Sequence, residues 1–149
     1  MITPTPTTPI DRTLARGLLG EWVAQTATKP EMVKMLFPGT SYELHLVPAT
    51  DITCEKGKRI VGRIAGAARR VDVVMTGGRY VEPVYGNPRR VQGTIVSTND
   101  ATNVIVVDAG MPIHLTLTDA RQKGAQFALG QLVSCDVMDG TTFHPETGR

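Results

Sequence analysis

The spacing of apolar and polar residues changes period at Gly39. Before it, Ile10, Leu14, Leu18 and Trp22 recur at i, i+4 and would line one face of a helix. Thr8 stands at the N-cap, Pro9 at the first helical position and Asp11 near the positive end of the helix dipole. Gly17 and Gly20 would each cost such a helix up to ~1 kcal/mol. From Glu21 the run Glu-Trp-Val-Ala-Gln-Thr-Ala-Thr alternates well enough to form a strand instead. A capping-box pattern at Thr28-Lys-Pro-Glu31 precedes Met32, Val33, Met35 and Leu36, and Phe37-Pro38-Gly39 stops the segment. The expectation for residues 10–38 is a helical segment.

After Gly39 the period is two. Tyr42, Leu44 and Leu46 face one way and Glu43 and His45 the other, as in a half-buried strand. A charged turn at Glu55–Lys58 leads into a long run, Arg59 to Met75. There Ile60, Gly62 and Ile64 share one parity, whereas Val71, Val73 and Met75 share the other. One face cannot bury both triplets without an extra residue, so a bulge or sharp bend is predicted within Ala65–Arg69. Arg79 to Tyr85 is extended but holds Pro83, which places it on a sheet edge or in a loop. Strands are predicted over Arg89–Thr98, Val104–Asp108, Ile113–Leu117 and Gln131–Met138, with a short helix from Thr118 to Phe127 before the last of them.

Residues 58–143 thus hold five or six strands, a bent first strand and one short helix. The closing run Ala-Leu-Gly-Gln-Leu-Val-Ser-Cys-Asp-Val (128–137) resembles the entry to the final strand of OB-fold and S1-like RNA-binding domains. The helix departs from that pattern, since OB-folds place theirs between the third and fourth strands. The resemblance implies a mainly β chain: a small OB-like barrel with an N-terminal helical segment and one short helix before the last strand. It also implies a binding platform, because OB-folds hold oligonucleotides or oligosaccharides on one barrel face. The expected organisation is a Thr/Pro arm over 1–9, one globular domain over 10–143 with its barrel-like part at about 42–143, and a tail over 144–149.

Charge placement sharpens this. The net charge of +2 divides into −1 for residues 1–54, +6 for 55–93 and −3 for 94–149. The middle block carries Lys56, Lys58, Arg59, Arg63, Arg69, Arg70, Arg79, Arg89 and Arg90, mostly the residue best suited to bidentate phosphate contacts. Tyr80 and Tyr85 lie among them and could stack bases. A cationic groove with aromatic platforms is what sequence-tolerant single-strand binding requires, so Arg63, Arg69, Arg70, Arg79, Tyr80, Tyr85, Arg89 and Arg90 form the expected RNA or single-stranded DNA surface. The competing use of these charges is structural. Neighbours such as Arg69-Arg70 and Arg89-Arg90 point to opposite faces if regularly extended. One of each pair would then be committed to Asp72, Glu82 or a carboxylate of the acidic C-terminal third.

Catalytic chemistry is not indicated. Phosphate-binding loops, dinucleotide fingerprints, nucleophile elbows and His-Glu-x-x-His patterns are missing from the sequence, so no enzyme and no cofactor is expected. His45, His114 and His144 lack the close spacing of a local metal pair, and a site built from His114, His144 and a cysteine is only geometrically conceivable. Cys54 and Cys135 are read as reduced thiols in a cytoplasmic protein. No run approaches the ~18–20 apolar residues of a membrane span, and the start of the chain lacks the basic and apolar regions of a signal peptide. The alternative to nucleic acid is a protein-interaction module, in which the strand edge around 79–91, or the basic block itself, meets an acidic protein partner.

Overall fold

A computed structural model describes residues 12–53 and 55–146; the Thr/Pro arm and Cys54 lie outside the described residues. Eleven strands form in the order β1 (Ala15–Val23), β2 (Met32–Leu36), β3 (Glu43–Pro48), β4 (Arg59–Val73), β5 (Tyr80–Glu82), β6 (Tyr85–Gly86), β7 (Arg90–Asn99), β8 (Val104–Asp108), β9 (Pro112–Leu117), β10 (Leu132–Val137) and β11 (Thr142–Pro145). The protein is mainly β, and all the strands join one mixed sheet.

Strand β4 is the spine of that sheet. Its N-terminal half pairs with β1 and with β11, its middle runs parallel to β9, and its C-terminal half pairs with β10. The pairings close into two circuits, β1-β2-β3-β11-β4 and β4-β10-β7-β8-β9, which share β4. Ile64, Ile113, Leu115, Leu44, Leu46 and Phe143 point inward beneath both circuits and belong to one buried hydrophobic cluster.

The helical segment expected from 10 to 38 is corrected to two strands. The i, i+4 stripe is coincidental, because burial follows period two: Ala15, Gly17 and Leu19 face inward while Trp22 is exposed. The glycines that weakened the helix are what the strand pairing needs. A Cβ on Gly17 would lie 2.5 Å from the Leu36 carbonyl oxygen, so only glycine lets β1 approach β2. The capping-box residues form a turn instead, with Thr26 Oγ1 accepting from the Lys29 amide at 3.0 Å.

The predicted change of phase in β4 is present, shifted to the end of its expected window. Val137 lies opposite Ala68 and Cys135 opposite Val71, so β4 carries one residue more than β10 between them. The bulge occupies Arg69-Arg70 and turns both arginines outward. Of the expected buried triplet only Val71 is covered; Val73 and Met75 are exposed.

The helix expected at Thr118–Phe127 is corrected to a single 3-10 turn, Gly124–Gln126, and it precedes β10 rather than the last strand. The would-be capping groups are engaged elsewhere. Thr118 Oγ1 donates to the Ala68 carbonyl at 2.6 Å, and Asp119 is drawn to Arg121, whose hydrogen bonds hold its carboxyl down to about 2. The Gln122 amide then pairs with the Val71 backbone, donating to its oxygen at 2.6 Å and accepting from its nitrogen at 2.8 Å. A side chain thereby continues the β4 ladder where β9 has ended. The final strand β11 runs to Pro145, two residues into the expected tail.

Candidate binding groove on the outer sheet face

Paired strands put their alternate residues on one surface. Across β3, β11, β4, β9 and β8 the registers align Val47, Thr142, Ala65, His114 and Val106 in one outward row. The neighbouring positions add His144 opposite Arg63 and Ser97 opposite Val106. Around the β4–β9–β8–β7 end of this row lies a groove of about 500 Å³ lined by Thr13, Arg63, Ala65, Ser97, Asn99, Thr102, Val104, Val106, His114 and Thr116.

Its lining is hydroxyl, amide, imidazole and one guanidinium, with no carboxylate. Arg63 is exposed and has no ion pair among the described residues. His114 Nε2 lies 2.7 Å from the Thr13 carbonyl, which can only accept, so Nε2 carries the proton. Asn99 Oδ1 accepts from the Thr102 amide at 3.1 Å and fixes the loop that closes one end. The site is therefore a shallow trough of mixed polar and apolar lining, in which Arg63 has no carboxylate beside it among the described residues.

Beside it, His144 Nε2 meets Thr142 Oγ1 at 3.0 Å. Burial lowers the affinity of His144 for a proton, and the charges of Arg63 and His114 lower it further. His45 is shifted the same way by burial and by Lys34. The unfolded chain, with histidine near ~6.5, therefore takes up protons that the folded state resists. Thermal stability should hold from about pH 8 to 7 and decline from about pH 6.5 towards 5, above the range where carboxylates titrate. Calorimetric melts across that window check it; a flat melting temperature would contradict it.

Of the eight residues expected to form one nucleic-acid surface, Arg63 lies apart, whereas Arg70, Tyr80 and Arg90 meet around the row Asp72, Ser134 and Gln92. Arg63 is in the groove. About 23 Å further along β4, at the usual strand rise, Arg70 pairs with Asp72 at 3.0 Å. On the adjoining strands Arg90 pairs with Asp136 at 2.8 Å and bonds Ser134 Oγ at 2.9 Å. Tyr80, half-buried, donates to Gln92 Oε1 at 3.3 Å and joins Asp136 in raising the pKa of Arg90. Arg79 pairs with Asp108 at 2.8 Å. Tyr85 is exposed but bonded to Glu43, which raises its phenol pKa. Arg69 and Arg89 are exposed and stand apart from the groove. The pairing of one arginine from each doublet, with Asp72 and with a C-terminal carboxylate, follows the structural use of these charges anticipated above.

Family models, curated proteins and solved structures yield no match to this chain. Its chemistry therefore rests on the side chains alone. The sequence assigned Ser97, Asn99, Thr102 and Thr116 no part in a site. It placed His114 and His144 together only as a conceivable metal pair with a cysteine. The histidines do share a face, but Cys135 points into the core on β10, where burial pushes its thiol up to about 12. No cluster of metal-ligating residues forms among the described residues.

Proposed function

We propose that this protein is a non-enzymatic binding module that holds single-stranded nucleic acid, RNA or DNA, across the outer sheet face, with a phosphate at Arg63. The observation that carries the reading is the Arg63 guanidinium in a groove of about 500 Å³, where among the described residues it has no ion pair and no carboxylate lines the groove. A guanidinium fork matches phosphate as it does carboxylate, with two parallel charge-assisted hydrogen bonds. The hydroxyl and amide groups of Ser97, Asn99 and Thr116 supply donors and acceptors for sugar and base edges. The two pairing circuits that share β4 support a barrel-like, OB-type platform as the architecture behind this use. Arg70, Arg79 and Arg90 are secondary in this reading, since a carboxylate already occupies each of them.

Fluorescence anisotropy of a labelled single-stranded oligonucleotide at low salt tests it. Micromolar binding is expected, with Arg63→Ala weakening it about tenfold or more, the worth of a charge-assisted hydrogen bond. Arg90→Ala should change it less than about twofold, because removing an exposed paired charge has little effect. Absence of binding, or equal binding by Arg63→Ala, would overturn the assignment. At the strand edge around 79–91, a protein partner is favoured by the exposed side chains of Val84 and Tyr85. The backbone there is already engaged: the Val81 amide donates to Tyr42 Oη and the Val84 carbonyl accepts from the Glu43 amide.

A further inference from the structure

A second, smaller cavity of about 240 Å³ opens on the same outer face at its β2–β3 end, and it is lined by Lys29, Met32, His45, Val47, Asn87 and Asp139 together with neighbouring backbone. Val47 is also the first member of the row that runs through Thr142 to Ala65 and His114, so cavity and groove are about 10 Å apart on one surface, two strand spacings from Val47 to Ala65. Among the described residues two buried side-chain polar atoms have no hydrogen-bond partner, His45 Nε2 and Thr141 Oγ1, and both residues line this cavity. The Thr141 oxygen lies against the Gly66 backbone. His45 Nε2 is the group left for an incoming molecule to satisfy, and leaving a buried ring nitrogen unpaired is costly.

We infer that this cavity is a base pocket, which takes one unstacked nucleobase lying on the side chains of Met32 and Val47, with its hydrogen-bonding edge towards His45 Nε2. The inference rests on the nucleic-acid reading of the groove and names the second contact along the same strand. The cavity is smaller than sites for drug-sized ligands, which suits a single ring system. At its mouth Lys29 Nζ donates to Asn87 Oδ1 at 3.4 Å, and Asn87 Nδ2 donates to Asp139 Oδ1 at 3.3 Å. Lys29 and Asp139 bring opposite charges to the cavity, so its lining has no net charge that would favour an anion over a neutral base. Apolar faces combined with a polar edge are how proteins hold an extruded base. His45 Nε2 is covered, so entry requires the wall to open. The exposed Lys29–Asn87 bond is long, and it is the part that can give.

Ligand-observed saturation-transfer NMR with adenosine, guanosine, cytidine and uridine tests the pocket without any phosphate. At least one nucleoside should receive saturation from the wild-type protein, and equally from Arg63→Ala. His45→Phe keeps the ring shape and removes the nitrogen, so binding should fall about fivefold, the worth of one hydrogen bond. Asn87→Ala deletes the bond that closes the mouth, so it should raise the nucleoside signal above wild type, and it serves if His45→Phe does not fold. No saturation transfer to any nucleoside, or wild-type signal from both variants, overturns the base pocket. Oligonucleotide binding lost in Arg63→Ala while no nucleoside binds would sink the pocket and leave the groove reading standing.

Discussion

Gly93→Ala is expected to cost about 3 kcal/mol or more and to lower the melting temperature by roughly 10 °C, beyond the usual ~1–3 kcal/mol of overpacking. Gly93 is buried in β7 where the end of β8 crosses it. A Cβ there would overlap the Asp108 carbonyl and approach the Ala109 Cα to 2.9 Å. Both obstacles are backbone, so no rotamer change relieves them. The strands that carry Ser97, Asn99 and Val106 would have to separate. Gly78→Ala is the control: nothing lies within 4 Å of its added methyl, and its φ is outside the left-handed region, so the change should be neutral or slightly stabilising. Urea denaturation of both variants checks the contrast. Equal stability would show that β7 and β8 do not meet as described.

Phe143→Ala should lose about 3–5 kcal/mol, the range for emptying a fully buried aromatic site. Phe143 is 1% exposed and is the inward residue of β11, between Thr142 and His144. Its ring fills the space that Gly62 leaves open; a Cβ on Gly62 would come within 2.5 Å of its Cζ. β11 is short and joins β3 to β4, so this one side chain holds the seam beneath Arg63 and His144. The expected result is a lower denaturation midpoint together with weaker oligonucleotide binding. A loss under about 1 kcal/mol would contradict so central a role for the β11 seam.

Strand-forming alternation made the C-terminal part of the fold legible. β3, β7, β8, β9 and β10 lie within a residue or two of their expected bounds, because period-two burial is a local signal. The β4 bulge was legible for the same reason, since two parities cannot share one face. β1 was not, because Leu14, Leu18 and Trp22 fell by chance at helical spacing, and the informative glycines acted through a partner strand distant in sequence. The groove was not legible either. It depends on β9 lying parallel to β4 and on β11 lying between β3 and β4, long-range pairings that no local pattern specifies. Of the expected site, Arg63 is the residue that reaches this groove. β4 spreads Arg63 and Arg70 over its length, so Arg63 stands apart, while Arg70, Tyr80 and Arg90 gather around the Asp72–Ser134–Gln92 row, where Asp72 and Asp136 pair with the two arginines.

Amide chemical-shift mapping with unlabelled oligothymidylate tests most directly whether the outer face is the binding surface. Saturable changes are expected at Arg63, Ser97, Asn99, Thr102, His114 and Thr116, with Tyr80–Glu82 and Arg89–Arg90 unaffected. Changes confined to Tyr80–Glu82 and Arg89–Arg90, or none at low salt, would contradict the account.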